Sequence, residues 1–92
     1  MGDDLLIKDG CMRPIKPMNG HYYTLTELQT YVGGYIETLK VGNGKLLVVD
    51  EEGKLKGKLP NRIATGFILR DGYQDFIAGT ALLIDSEHIS LT

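Results

Sequence analysis

The pair Asn43-Gly44, which stands between two β-prone runs, is the feature that most restricts how this chain can fold. Both residues accept a positive φ, as a type I′ turn requires, so the pair predicts a hairpin of two antiparallel strands. The run that follows, "LLVV" at 46–49, is apolar at every position. A strand of this kind is expected at the centre of a sheet that is covered on both sides.

The segment "YTLTELQTYVGG" predicts a first helix over residues 25–32. Thr24 and Glu27 have the spacing of a capping box, in which each side chain satisfies a backbone N–H of the first turn. Tyr23 and Leu28 are spaced to form a hydrophobic staple across this cap. One apolar face is predicted from three residues: Leu25, Leu28 and Val32. The two glycines that follow end the helix, because glycine tolerates the left-handed conformation of a C-terminal cap.

The segment "LPNRIATGFILRDG" predicts a second helix, with Asn61 as its N-cap after Pro60. Its apolar residues form two i, i+4 pairs, Ile63 with Phe67 and Ala64 with Ile68. Gly66, in the middle of this helix, costs about 1 kcal/mol relative to alanine. Two explanations are open: close packing needs the absent side chain, or the helix is short.

The N-terminal and central segments predict further extended structure. "LLI" at 5–7 is a plausible first strand, and the proline-containing stretch at 11–20 predicts extended coil or an edge segment. "KLKGKL" at 54–59 is predicted to pair back on the apolar run that precedes it.

Near the C-terminus, "DFIAGTALLID" predicts strands at 76–77 and 81–84, with a break or bulge at Gly79 between them. The complete order, β-α-β-β-(β)-α-β-β, predicts an α+β fold: a small, mostly antiparallel sheet with two short helices. We expect a single domain over residues 1–92, in which residues 1–20 supply an extended N-terminal segment and the first strand.

The acidic run Asp50-Glu51-Glu52-Gly53 has two interpretations, a turn or a chemical site. Acidic residues suit a type I turn, and Gly53 can supply the left-handed residue at its end. Neighbouring carboxylates on a short turn diverge, whereas a calcium loop spaces its ligands at alternate positions. We therefore predict a hairpin turn, without a metal ligand or a catalytic residue.

Composition and charge exclude several functions. The formal net charge is −2 and the ten Lys and Arg residues are scattered, whereas binding of double-stranded nucleic acid needs clustered cations. The single cysteine, Cys11, forms no internal disulfide, which fits a reducing cytoplasm. We expect neither secretion nor membrane insertion, since the chain shows no signal peptide and no apolar run near about 18 residues. With His21 and His88 as the only histidines, no metal site and no cofactor is predicted.

Two groups of residues are candidates for ligand binding. Tyrosines around the first helix offer flat faces for a base, although core packing is the alternative. A helix start at 61–62 suits an anionic group, although a simple cap with a solvated arginine is the alternative. The candidate ligand-binding residues are Tyr23, Tyr35, Asp50, Glu51, Asn61 and Arg62. A nucleotide-like ligand at an interface of a homo-oligomer would suit these groups.

Three motifs, "YTLTELQTYVGGYIE", "LLVVDEEGKLKGKLPNRIAT" and "FIAGTALLID", resemble a domain-of-unknown-function family of small proteins from bacteria, bacteriophages and mobile elements. The residues that carry the resemblance are Gly33, Gly34, Asp50, Glu51, Gly53, Leu59, Pro60, Asn61, Ala64 and Gly79. The additional "LKGK" spacing before Leu59 departs from the family pattern, so the loop there is expected to differ. The resemblance implies an accessory role, such as countering host defence, and no established activity.

Three functional hypotheses follow. The preferred one is a non-catalytic binding protein, oligomeric, that holds a host protein or a small nucleotide-like ligand. The second is a small enzyme that uses Asp50 or Glu51 together with Asn61 and Arg62. The third is an interaction module that inhibits a host factor through an exposed strand or the acidic turn.

Overall fold

The computed structural model describes residues 3–90, which form a five-stranded antiparallel sheet with one helix on each face. The elements are β1 (Asp4–Lys8), β2 (Cys11–Ile15), α1 (Leu25–Val32), β3 (Ile36–Val41), β4 (Lys45–Asp50), α2 (Arg62–Arg70) and β5 (Ala81–Asp85). Across the sheet the strands lie in the order β2-β1-β5-β4-β3. This architecture confirms the predicted α+β class.

The predicted hairpin at Asn43-Gly44 is confirmed. The two residues have φ values of +64° and +70°, and the N–H of Lys45 donates to the carbonyl of Gly42 at 3.4 Å. Three residues, 42–44, connect the paired Val41 and Lys45. The second strand of this hairpin, β4, lies between β3 and β5. Its apolar residues contact helices on both faces of the sheet, as the run "LLVV" predicts.

A second hairpin, which the sequence analysis did not identify, joins β1 to β2 through Asp9-Gly10, where φ is +54° and +75°. The predicted alternatives for 11–20 were coil or an edge segment, and β2 is an edge strand. Pro14 lies opposite Leu5. Hydrogen-bonded and non-hydrogen-bonded pairs alternate along an antiparallel ladder, and Leu5 with Pro14 is a non-hydrogen-bonded pair. Its missing N–H therefore falls on the free edge, where it hinders pairing with another strand.

Helix α1 covers one face of the sheet and has the predicted bounds. The Thr24 hydroxyl accepts from the N–H of Glu27 at 3.2 Å, but the Glu27 carboxylate accepts from Met18 N–H at 3.0 Å, so only half of the capping box forms. The buried residues on this face are Leu6, Tyr23, Leu28, Val32, Val48, Leu82 and Ile84. Tyr23 and Leu28 thus share one core cluster, as the staple predicts. The prediction for Leu25 was wrong, since this side chain is exposed.

Helix α2 covers the opposite face and begins after Asn61, as predicted. The buried residues there are Ile7, Leu47, Val49, Ala64, Ile68, Ile77, Ala81 and Leu83. Ile63 and Phe67 are partly buried beside them. Gly66 is not explained by close packing, because a Cβ built on it would meet no atom within 4 Å.

Two predicted strands do not form. Residues 54–59 make a series of turns and not a strand, and residues 76–77 are irregular up to an isolated bridge between Pro60 and Ala78. The reason is that both sides of β4 are already occupied, by β3 and by β5, so no hydrogen-bonding edge is left for 54–59. Gly79, with φ of +91°, provides the predicted break before β5.

Replacing Gly53 with alanine should destabilise the fold, because the added Cβ would overlap the carbonyl oxygen of Ala78. We expect Gly53→Ala to lower the free energy of unfolding by about 2 kcal/mol. The matched change Gly66→Ala should raise it by about 1 kcal/mol, since the position is helical and open. Urea unfolding at neutral pH measures both, and equal effects of the two variants would contradict this packing.

Candidate functional site

Asp50, the last residue of β4, lies buried beneath two lysine side chains. Its Oδ2 is 2.6 Å from Lys58 Nζ and 2.9 Å from Lys56 Nζ. Its Oδ1 accepts a hydrogen bond of 2.8 Å from the backbone N–H of Glu52. The Asp50 side chain is inaccessible to solvent, whereas both lysines are partly exposed. The acidic run forms a turn, but the predicted hairpin is wrong, because no strand follows the run to pair with β4. Its first carboxylate is instead a buried partner of two cations.

The charge state of Asp50 follows from these contacts. Burial by itself would raise the pKa of this carboxyl group, because it removes the hydration of the charged form. Hydrogen bonds from Lys58, Lys56 and the N–H of Glu52 outweigh burial and lower the pKa of Asp50 from 3.8 to about 2. Such a carboxylate accepts a proton poorly at neutral pH, which argues against a role as general base.

The two lysines also satisfy the end of helix α1. Lys58 Nζ donates to the carbonyl of Val32 at 2.7 Å, and Lys56 Nζ donates to that of Gly33 at 3.2 Å. Carbonyls at a helix C-terminus have no intrahelical partner, and the helix dipole is negative there. Helix α1 has no basic residue in its own last turn, so these lysines supply the charge. A Cβ on Gly34 would overlap the Nζ of Lys56, so a side chain there would displace the end of Lys56 from its present position.

Asn61 joins three parts of the chain. Its Oδ1 accepts the N–H of Ala64 at 3.0 Å and caps helix α2. Its Nδ2 donates to the carbonyls of Ile7 at 3.0 Å and Gly79 at 2.9 Å, which lie at the end of β1 and before β5. Both amide hydrogens are therefore used within the fold. Asn61 shapes the site without a free donor for a ligand.

A cleft of about 520 Å³ opens where helix α2 begins. Its walls come from the β1–β2 turn, from the segment that leads to the helix and from the loop before β5, with Lys8, Asn61, Arg62 and Gly79 among them. Lys8 and Arg62 are exposed, and neither forms an ion pair with any residue between 3 and 90. Asp9 is the one acidic residue on the described walls. The cleft is thus a recess within one chain whose rim carries free cations.

The other predicted site residues lie away from this cleft. Tyr23 is fully buried in the core under α1, and its hydroxyl has no hydrogen-bond partner in the described part of the chain. Burial, and next the nearby Asp4, raise the pKa of Tyr23. Tyr35 is exposed in a shallow depression beside α1, and its carbonyl accepts the N–H of Glu51 at 2.9 Å. The structure therefore brings together Asn61 and Arg62, but neither tyrosine joins them.

A second buried carboxylate ties the two ends of the chain together. Asp4 Oδ1 accepts the N–H of Asp85 at 2.9 Å, and Asp4 Oδ2 lies 2.8 Å from Nδ1 of His88. The imidazole of His88 is half-exposed. These contacts hold the chain that follows β5 against β1, so they account for His88 structurally.

Within residues 3–90, no three His, Cys, Asp or Glu side chains are arranged so that they could hold a metal ion. The helices there have eight and nine residues, and none has the length and apolar character needed to cross a membrane. Cys11 is an exposed free thiol on β2.

Three lysines of the site, Lys8, Lys56 and Lys58, were missed by the sequence analysis. Lys8 reaches the cleft because Asp9-Gly10 turns the chain beside it, and the same dipeptide chemistry that identified Asn43-Gly44 would have indicated this hairpin. Lys58 meets Asp50 only after seven intervening residues fold back, and no local pattern signals that contact.

We expect Asp50→Asn to lower the free energy of unfolding by about 2 kcal/mol at pH 7, because two lysines lose their counter-ion. Since the folded pKa of Asp50 lies below the unfolded value, its contribution is present above pH 3.8 and is lost as pH falls through about 2. Chemical unfolding of the two proteins between pH 7 and pH 2 should show their difference shrinking below pH 4. Glu51→Gln, at an exposed neighbour, is the control and should change stability by less than about 0.5 kcal/mol. A larger effect of Glu51→Gln than of Asp50→Asn would contradict the assignment.

Comparison with known protein families identifies one match, described as "Domain of unknown function (DUF3846)", over residues 5–92. No curated protein and no solved structure matches the chain. The matched residues include the buried Asp50, both of its lysines and every wall of the cleft. This agrees with the resemblance to a domain-of-unknown-function family, and the chain belongs to the DUF3846 family.

Proposed function

We propose that this chain is a non-catalytic binding protein that takes a small anionic, nucleotide-like ligand in the cleft where helix α2 begins. The observation that carries the proposal is the pairing of a recess of about 520 Å³ with two unpaired cations, Lys8 and Arg62, on its walls. A volume of this size lies in the range of small-molecule sites.

The electrostatics of the cleft favour a negatively charged group. The N–H groups of Ala64 and Thr65 are used by Asn61, so the first two amides of α2, at Arg62 and Ile63, are left for a ligand. The positive end of the helix dipole adds to the charge of the cations. Asp9 opposes them on one wall only, which leaves the rim with net positive charge.

Apolar groups suit the remainder of such a ligand. Leu59, Pro60 and Ile63 line the same cleft, and Leu59 is 83% exposed. Contact with a base or sugar would cover this side chain. Neither Tyr23 nor Tyr35 lines the cleft, so stacking on tyrosine forms no part of the proposal.

The geometry supports binding over catalysis. Asp50 is shielded by its lysines, and the pKa of about 2 makes it a poor base at neutral pH. Glu51 is exposed on the turn, and the cleft walls do not include it. An enzyme built on these two carboxylates with Asn61 and Arg62 would need groups that the fold keeps apart.

We place this binding activity in an accessory role for a bacteriophage or mobile element. The resemblance of the three sequence motifs supports that setting, and the cleft supports the activity. A protein that binds a host nucleotide-like molecule lowers the free concentration of that molecule by mass action.

Thermal unfolding against a panel of mononucleotides, dinucleotides and cyclic nucleotides tests the proposal. A ligand that binds only the folded chain stabilises it by about 2.7 kcal/mol at one hundred times its Kd, so at least one nucleotide should raise the Tm measurably. The increase should diminish as salt is raised, because the contacts to the anion are partly exposed.

Two charge reversals make this experiment specific. Lys8→Glu should abolish the increase in Tm, since Lys8 lies on the cleft. Lys40→Glu is the matched control, because Lys40 is an exposed lysine on β3 near the opposite end of the sheet. No stabilisation by any nucleotide, or equal stabilisation of the Lys8→Glu variant, would contradict the proposal.

A further inference from the structure

A groove of about 380 Å³ runs along the outer surface of helix α2, beside the cleft. It is lined by Pro60, Arg62, Thr65, Gly66, Leu69 and Phe76. Leu69 and Phe76 are large apolar side chains that remain about half exposed. The groove shares only Pro60 and Arg62 with the cleft, so the two surfaces can be tested separately.

Gly66 forms the floor of this groove without a reason inside the fold. Its backbone is helical with no positive φ, and a Cβ would meet no atom within 4 Å. Glycine weakens a helix relative to alanine, so the residue destabilises α2 without improving any contact in residues 3–90. The space next to Gly66 is open, so a side chain at this position would project into the groove.

Charge around the groove indicates which partner fits. Helix α2 carries Arg62 and Arg70 and no acidic residue. These arginines stand four residues before and four residues after Gly66, so they share its face of the helix. Arg70 also lies over the ring of Phe67 at 5.5 Å. Arg62 thus lies on the wall of the groove itself, and Arg70, one turn beyond Gly66 on the same helix face, adds a second cation outside the lining.

The far wall of the groove adds no net negative charge. Lys54 lies over the ring of Phe76 at 4.6 Å and pairs with Asp75, whose carboxylate it neutralises. Asp71, which follows the helix, lies next to Gly42 on the β3–β4 turn. On the described walls of the groove itself, the exposed and unpaired charge is that of Arg62.

We propose that this groove docks a short acidic segment of a partner protein, with one apolar side chain seated over Gly66 and carboxylates facing Arg62 and Arg70. Apolar anchors in pockets supply most of the affinity of such interfaces, and charges at the rim supply selectivity and speed of association. A protein segment satisfies both requirements, because acidic and apolar side chains can alternate along it.

Selection from a displayed library of random dodecapeptides tests the inference without a choice of sequence in advance. The chain serves as target, and the Gly66→Leu variant serves for counter-selection, because leucine fills the groove while it leaves the walls of the cleft unchanged. Recovered peptides should be rich in Asp and Glu around one large apolar residue. A set without acidic enrichment, or one that binds Gly66→Leu equally, would overturn the proposal.

A synthetic peptide from that selection then measures the effect of each groove residue. We expect Gly66→Leu to weaken binding roughly tenfold or more while the Tm stays equal or rises, since leucine is a better helix former than glycine. Arg70→Glu should weaken the same peptide, whereas Lys40→Glu on β3 should not. Loss of binding that occurs only in variants with a lowered Tm would show that the groove is not the site.

Two other occupants give different results in the same assay. Tighter binding of an oligothymidine of equal length than of the peptide would assign the groove to single-stranded nucleic acid and overturn the inference. A dimer in sedimentation that Gly66→Leu dissociates would assign it to a second copy of this chain, with the same consequence. Peptide binding that persists in the Lys8→Glu variant would show that the groove and the nucleotide site are separate, because Lys8 lines the cleft and not the groove.

Discussion

The contact between Asp50 and two lysines is the interaction on which the arrangement of the candidate site depends. It joins the end of β4 to the end of α1 and to the segment that leads to α2, because each lysine donates both to the Asp50 carboxylate and to a carbonyl at the end of α1. Removal of one member of a buried ion pair destabilises a protein more than the pair itself stabilises it, because a charge is left without a partner. The lysines are partly exposed, so the penalty here is moderate, but the segment 51–60 has no β-ladder to hold it otherwise.

The contact between Asp50 and the lysines also helps to position the cleft. The Lys58 side chain packs close to Gly79, and Asn61 binds the carbonyl of the same glycine on its other side. Lys58 and Asn61 thereby fix one wall of the cleft, and the polar groups of both side chains already have partners within the fold. The cations on its rim, Lys8 and Arg62, belong to β1 and α2, which Asn61 connects through the carbonyl of Ile7 and the N–H of Ala64. A preformed recess with free charge at its rim suits recognition of a ligand, and the shielded Asp50 does not suit proton transfer.

The sequence predicted those elements whose signals are local. Thr24 and the glycine pair defined α1 to the residue, Asn61 defined the start of α2, and Asn43-Gly44 defined one hairpin. The strand at 54–59 was predicted wrongly because its alternation of Lys and Leu fits a strand, whereas the positions beside β4 are filled by strands close and distant in sequence. Competition for a sheet edge is a global property that a local pattern does not contain.

The same distinction explains the candidate site. Asn61 and Arg62 were identifiable because a helix start has a sequence signature, whereas Tyr35 is exposed but lies outside the cleft. Tyr23 is a core residue, which was the alternative to ligand binding, because the hydrophobic staple places it under α1. The burial of Asp50 was not predictable, since the compensating lysines lie six and eight residues away in a segment without regular structure. Gly66 was recognised as costly in the sequence, but only the open groove suggests what it is for.

The most direct test of this account is the titration of the Asp50 carboxyl carbon by NMR on the uniformly labelled chain. If the lysines hold this carboxylate in a buried ion pair, its resonance should keep the chemical shift of the ionised form down to about pH 3 and move with a midpoint near 2. A midpoint at or above the ordinary value of 3.8 would contradict the ion pair, and with it the explanation for how the cleft is positioned.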